Sequence, residues 1–547
     1  MKSFKKSTNK TQKAPKIANF ALTDEYKTAV LKTAYIGKKG YTLYKSALSA
    51  DDIEEIKTEL LLKPQTAGPQ YGPAADASEP AFPVYRENAN KLYIPRFYGI
   101  DRYGLPANPS QIEPGLNINP SVEFNPERTL RDYQENIVGI YMTHIENGPN
   151  RGAILEVPCG RGKTIMALNI VSRLRKKTLI LVHKEFLMNQ WIERIAEFIP
   201  QAKVGKIQAD VYDVENKDIV IGMIQTIYKR DYDYGEFGLT IIDEVHRIGS
   251  EEFSKTLLNT VTPYMLGISA TVERKDGLTK LLYMFIGPKI YEEERENTDP
   301  VCVRCVEYVS KDPVFNETEY DFRGNAKYST MITKLCEFGP RTDFIVRILR
   351  DLRTEHPGNQ IMVLCHNRSL LKYLYEAIQY RGVATVGYYV GGMKAADLQH
   401  TESQQIVLAT YAMAAEALDI KTLATLVMVT PKTDIVQSVG RILRVKHEHP
   451  IIVDIVDTHD TFRNQWKQRR TFYKKCNYLI ISCNSDLYVD MMNCDRWTTV
   501  YNPKTGCRKT NPGTNTSTII DGDDDSKKKC LINVSDIDFS AVANQSF

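Results

Sequence analysis

The sequence predicts an α/β chain: two α/β domains in series, each with a parallel sheet, preceded by a small α+β module. Three observations carry this. Short apolar runs alternate with helical stretches from about residue 152 to 271. The same alternation returns between residues 361 and 456. And 547 residues exceed what one compact core accommodates, so the chain divides. Strands bounded by helices in strict alternation are the signature of parallel sheets covered on both faces.

The elements follow in order. Residues 1–25 ("MKSFKKSTNKTQKAPK…") are lysine-rich, carry no apolar signal-peptide core and read as a basic disordered arm. Residues 26–115 read as an accessory module. It holds one clear helix, "SADDIEEIKTELLL", with Ser49 as cap and acids in the first turn, and a loop, "KPQTAGPQYGPAADASEPAFP". The first α/β domain spans 116–295. Its strands are "GAILEV", "TLILVH", "DIVIGMI", "LTIID" and "MLGISAT". Its helices include Thr164–Leu174 and "EFLMNQWIERIAEFI", in which Leu187, Trp191, Ile195 and Phe198 share one face. A join near 292–298 leads to the second domain, 296–480, with strands "IMVLC", "TVGYYV", "QIVLAT", "TLVMVT" and "IIVDIV". Residues 481–547 are Asn-, Thr- and Asp-rich and read as a loose C-terminal extension.

Composition excludes some classes. No apolar run reaches the ~18 residues that span a bilayer. A net charge of +4 over this length neither announces nor forbids a nucleic-acid partner. The ten cysteines, with no signal peptide, read as reduced thiols of an intracellular, reducing compartment. Cys302 and Cys305 form a C-x-x-C inside a strand-like run, with no second pair at zinc spacing.

The chemistry begins at "VPCGRGKT", residues 157–164. A strand feeding a glycine turn and a helix aims backbone N–H groups at one point, where the helix dipole adds positive potential. Gly160 and Gly162 let the backbone approach phosphate oxygens; Pro158, Cys159 and Arg161 complete the loop. Lys163 can reach β and γ phosphates, and the Thr164 hydroxyl can hold Mg²⁺. The usual P-loop has glycine where Val157 stands. An acidic partner should close a neighbouring strand, and "LTIIDEVHR" supplies it. Asp243 is placed to hold Mg²⁺ through water and Glu244 to orient and deprotonate the attacking water.

"PCGRGKT", "DEVH" and "SAT" (269–271), in that order, resemble motifs I, II and III of superfamily 2 DExH-box helicases, a family that replaces the distant P-loop glycine. That resemblance implies tandem RecA-like domains and a nucleic-acid-dependent ATPase using ATP and Mg²⁺. "LRDYQ" (130–134) is similar to the Q motif, implying Gln134 at the adenine edge and Arg131 near the base. "QSVGRILR" fits motif VI. Gln437, Arg441 and Arg444 share one face of a helix, and the two arginines are the candidate fingers on the γ-phosphoryl group. "ATYAMAAEALDI" resembles motif V with Ala417 in place of glycine: Thr410 would touch a phosphate and Asp419 would couple strand contact to ATP. His246, Ser269 and Thr271 are further coupling candidates. Lys184, Gln225 and Thr226 stand where motifs Ia and Ib belong. Arg368, with His366 and Asn367, stands where motif IV belongs; each is a candidate phosphate contact, and His366–Arg368 read equally well as a helix cap.

Within the superfamily, "NQW", "SATVERKDGL" and "QSVGRILR" are most similar to XPB-like translocases, and to the poxvirus transcript-release helicase and its relatives in other large DNA viruses. Arg274-Lys275-Asp276 sits where those translocases carry Arg-Glu-Asp. The resemblance covers roughly residues 80–480. It implies double-stranded DNA as partner, a role in transcription or repair alongside RNA polymerase or transcription factors, and, for a viral chain, the host cytoplasm (its viral factory) or the virion as its place, otherwise the nucleus or cytoplasm. Two alternatives stay open: an RNA helicase of the same fold, and a protein-translocating ATPase motor, for which the inserted peptide-clamp domains have no room here.

Overall fold

The computed structural model describes residues 22–63, 81–148, 151–158, 160–230, 232–245, 251–273, 277–293, 300–322, 324–416, 420, 422–433, 435, 438–440, 447, 449–491 and 496–503. Most of the basic arm, the loop 64–80, Cys159, His246, Arg274-Lys275-Asp276, the join, Ala417, Asp419, Gln437, Arg441, Arg444 and the tail from 504 lie outside them.

The N-terminal module is α+β. Strands β1 (Tyr35–Gly37), β2 (Gly40–Tyr44), β5 (Arg86–Glu87) and β6 (Lys91–Ile94) form an antiparallel sheet in the order β1-β2-β6-β5. The expected helix runs Ala50–Glu59, with the Ser49 hydroxyl accepting from the Asp52 N–H at 3.1 Å. It stops short of the apolar "LLL" because β3 (Leu61–Leu62) turns extended to pair with β4 (Phe82–Pro83).

The first large sheet has eight strands: β7 (Gly152–Glu156), β8 (Thr178–Val182), β9 (Val204–Gln208), β10 (Val211–Tyr212), β11 (Ile219–Met223), β12 (Leu239–Asp243), β13 (Tyr264–Ser269) and β14 (Lys289–Glu292). Their order is β10-β9-β11-β8-β12-β13-β7-β14, and every pairing except β10 with β9 is parallel. Alternate residues feed opposite cores. Ile154, Leu179, Leu181, Val220 and Ile242 face one, while Ala153, Leu155, Ile180, Val182 and Ile241 face the other.

The first of those cores is continuous with the N-terminal module through Tyr41, Leu43, Leu92 and Phe97. A side chain at Gly152 would collide with the Phe97 ring at 2.5 Å, so glycine there admits the module's closest approach. Arg96 is buried and donates to the Thr262 and Pro263 carbonyls at 2.9 and 3.2 Å; burial lowers its pKa to about 10. The module is therefore riveted to this sheet.

The second large sheet holds β15 (Cys302–Tyr308), β16 (Gln360–Cys365), β17 (Val386–Tyr389), β18 (Ile406–Thr410), β19 (Leu423–Met428), β20 (Ile451–Asp457), β21 (Leu479–Asn484) and β22 (Thr498–Tyr501). The order is β17-β18-β16-β19-β20-β15-β21-β22, parallel except for β22. Contacts divide the chain into two compact units, one built around each large sheet. The architecture is α/β with tandem RecA-like sheets and an α+β module. One expectation changes: residues 481–491 and 496–503 do not form a loose extension. Cys483, Tyr488, Met491 and Trp497 are buried, and that apolar content draws the segment into the second sheet's edge.

Cys302 and Cys305 lie within β15, and no cluster of three or more metal-ligating side chains exists among the described residues.

Candidate functional site

Three neighbouring strands of the first sheet end at one edge. Register pairs Ser269 of β13 with Glu156 of β7, and Asp243 of β12 with Ile268 of β13. The loop after β7, the end of β12 and the end of β13 thus converge where parallel sheets place ligands, beyond the carboxyl ends of their strands. The Val157 N–H donates to the Ser269 carbonyl at 2.8 Å, prolonging the β7–β13 pairing by one residue. Val157 is buried, so its side chain packs inward, and the glycine of the commoner loop is unnecessary at that place.

The loop then turns on Gly160 (φ 84°) and Gly162 (φ 79°), both in the left-handed region that side chains resist. Pro158 is half-buried, and the Arg161 guanidinium pairs with the Glu293 carboxylate. A twelve-residue helix starts at Lys163, with Lys163 and Thr164 half-buried in its first turn. Lys163 Nζ lies 3.7 Å from Glu244 Oε1. Glu244 itself is a non-glycine residue at φ 52°, a strained conformation of the kind that accumulates at functional sites.

Asp243 is buried and accepts a 2.9 Å hydrogen bond from the Trp191 indole N–H. Burial, then the neighbouring Glu244 charge, raises its pKa to about 6, against the pull of Lys163 and the indole. Sequence reasoning gave Trp191 to the core by its helical face, and missed this bond. The only signal was that a buried indole must find an acceptor. Ser269 Oγ donates to the Thr271 carbonyl at 2.6 Å, closing the turn after β13.

Gln134 is buried and its Oε1 accepts from the Arg131 N–H at 3.0 Å, the local cap of its helix. Lys184 is the residue before the helix Glu185–Phe198. Gln225 donates to the His183 carbonyl at 2.9 Å, and Thr226 Oγ1 accepts from the Ala209 N–H at 3.0 Å. In the second unit, Thr410 ends β18 in register with Cys365 at the end of β16, so the motif IV and motif V strands finish side by side. Asn367 caps the next helix by accepting from the Ser369 N–H at 2.8 Å, and Arg368 donates to the Gly391 carbonyl. His366 N–H and ring both meet Thr430 Oγ1.

The family described as type III restriction enzyme, res subunit, matches residues 127–274, the segment that carries this edge. Over 457 residues the chain is 35% identical to a protein of Acanthamoeba polyphaga mimivirus named "Putative ATP-dependent RNA helicase L396", covering 81% of this chain and 86% of that one. The chain belongs to the superfamily 2 helicases of large DNA viruses. A second relative, "Putative helicase 161L" of Invertebrate iridescent virus 6, is 27% identical over 341 residues, 60% of this chain and 77% of that one. Among solved structures, S. cerevisiae Dbp5 bound to RNA and ADP BeF3 is similar at 14% identity and TM-score 0.47, over 65% of this chain and 90% of that one. The helicase is a nucleic-acid-dependent ATPase. Among its described residues no helix is long and apolar enough to cross a membrane.

Proposed function

We propose that this helicase is a double-stranded DNA translocase or DNA helicase acting in transcription, at transcript release or late transcription, or in repair. Its ATP-binding domain spans 116–295 and its second domain 296–480. The observation that supports the ATPase assignment is the convergence of Lys163, Asp243, Glu244 and Ser269 on one edge of the first sheet.

Gly160, Gly162 and Lys163 hold the phosphates, and Glu244 accepts the proton of the attacking water. A buried carboxylate raised to about 6 calls for a cation, and Asp243 with the Thr164 hydroxyl would hold Mg²⁺, the carboxylate through water. The ion would neutralise phosphate charge. Gln134 and Arg131 take the adenine. Gln437, Arg441 and Arg444, assigned on motif VI alone, meet the γ-phosphoryl group. His246, Ser269, Thr271 and Asp419 couple hydrolysis to strand contact, and Lys184, Gln225, Thr226, Arg368 and Thr410 contact backbone phosphates. RNA polymerase or transcription factors are the protein partners proposed, and the cytoplasmic factory or virion the location.

The DNA assignment rests on the similarity of "NQW", "SATVERKDGL" and "QSVGRILR" to XPB-like motifs. A second reading, RNA as substrate, is favoured by the name of the mimivirus relative, an ATP-dependent RNA helicase. One measurement separates them: steady-state ATPase with saturating duplex DNA, single-stranded DNA and RNA in parallel. Duplex DNA should stimulate most. Stimulation by RNA alone overturns the DNA reading, and no stimulation by any of them overturns the motor itself.

A further inference from the structure

The four-stranded sheet of the N-terminal module has two unlike faces. Ile36, Tyr41, Leu43, Leu92 and Ile94 point into the core. Their neighbours point the other way. Register sets Tyr35 opposite Thr42, Thr42 opposite Tyr93, and Tyr44 opposite Lys91, so these five residues share the outer face. Thr42 is buried beneath the others, while Tyr35, Tyr44, Tyr93 and Lys91 are half-exposed.

The rings on this face are dressed with ammonium groups. Lys91 Nζ bonds the Tyr35 hydroxyl at 3.1 Å and lies 4.7 Å above the Tyr44 ring; Lys39 Nζ lies 5.3 Å above the Tyr93 ring. The Tyr35 and Tyr44 rings are tilted 54° to each other at 6.4 Å, so neither covers the other's face. Among the described strand residues of this sheet the one carboxylate lies on the other face. Glu87 of β5 stands opposite Leu92, on the inner side, and is held by Lys45 and Lys57. An outward sheet face with three aromatic rings, cations between them and no carboxylate among its described strand residues is complementary to a polyanion whose units carry flat π-faces.

We propose that this face is a platform for single-stranded nucleic acid, in which Tyr35, Tyr44 and Tyr93 stack on unpaired bases and Lys39 and Lys91 move from the rings to the phosphates. An exposed cation–ring contact is weaker than a base–ring stack, so the exchange runs toward binding. The inference rests on the chain being a nucleic-acid motor only for the class of partner. A displaced DNA strand and a transcript both present unpaired bases, and the oligonucleotides below tell them apart.

The test is equilibrium binding of the full chain, without nucleotide, to labelled poly-dT, poly-U and a blunt DNA duplex. Each tyrosine-to-alanine change should weaken single-strand binding by about tenfold. Tyr93→Phe, which keeps the ring, should stay within about twofold, and Lys91→Gln should lower the salt slope by about one. Duplex binding and ATP hydrolysis in the absence of nucleic acid should not change. A stronger effect on poly-dT assigns the displaced strand, and one on poly-U assigns the transcript. If the alanine variants misfold, ultraviolet crosslinking of the unaltered protein to poly-U and poly-dT decides: adducts should map to Tyr35, Tyr44 or Tyr93, and adducts only elsewhere overturn the platform. So does a well-folded triple alanine variant that binds both strands normally, or one that loses duplex binding equally. Unaltered protein whose ATPase ignores all nucleic acid would instead overturn the motor reading, which separates the two failures.

Discussion

Each large sheet ends one strand in a buried aspartate, Asp243 on β12 and Asp457 on β20, and the chain treats them in opposite ways. Asp457 is clamped by Arg341, whose Nε and Nη2 reach its two oxygens at 2.6 and 2.8 Å, with both side chains fully buried. Asp243 receives only neutral donors among the described residues, the Trp191 indole N–H and the Glu244 backbone N–H, while the Lys163 ammonium lies 3.7 Å from the adjacent Glu244. A carboxylate answered by a bidentate guanidinium has its charge consumed by the fold. One answered by a neutral donor keeps a charge that burial makes costly, and which a bound cation would relieve. The contrast marks one edge as structural and the other as chemical before any ligand is considered.

The largest effects should come from the chemical edge and leave the fold alone. Lys163→Ala or Glu244→Gln should lower nucleic-acid-stimulated ATP turnover by at least ~10²–10³-fold, the scale of losing a principal charge-stabilising or proton-accepting group. The midpoint of thermal unfolding should shift by no more than a few degrees, because both side chains keep some exposure to solvent. Steady-state phosphate release beside a melting curve checks both halves. Turnover within tenfold of the unaltered enzyme would break the assignment of this edge.

The structural edge should answer in the reverse sense. Arg341→Met strands Asp457 in the core and should cost about 3–5 kcal/mol. Denaturant unfolding should register that loss in the unit built on the second sheet. Arg341→Met combined with Asp457→Leu should recover most of it, since an apolar pair of similar size replaces a buried ion pair with little penalty. If the single change cost under about 1 kcal/mol, the two edges would not differ as described.

Much of this was legible in the sequence. The strand runs, the P-loop, Asp243-Glu244 and the helix capped by Ser49 all depend on residues near one another in the chain, where periodicity and spacing speak directly. What escaped depends on long-range pairing. Trp191 meets Asp243 across 52 positions and Arg341 meets Asp457 across 116. No local pattern announces such a partner. The tail escaped for a different reason: its polar composition hid Cys483, Tyr488 and Trp497, which are buried where two more strands join the sheet's edge. The outer face of the N-terminal sheet was invisible because strands of three to five residues give too short an alternation to read.

The smallest effect tests the electrostatic side of the comparison. Asp243 has its pKa raised from 3.8 to about 6, so the metal-free folded protein keeps a proton that the unfolded chain releases. Stability contributed by that proton is present below about pH 4 and is lost as pH rises through about 6. The displacement, about 2 pH units, sets a ceiling of roughly 3 kcal/mol, and coupling to Glu244 reduces the share owed to Asp243 alone. Asp243→Asn in chelator should therefore melt a few degrees higher than the unaltered protein at pH 8 and at nearly the same temperature at pH 3.5. Trp191→Phe sharpens the point. It removes a donor that favours the ionised carboxylate, so the window should move further up in pH and the Asn advantage at pH 8 should grow in that background. An Asn variant with equal gains at both pH values would show that its benefit is packing, and that the charge at this edge is no less settled than the one Arg341 holds.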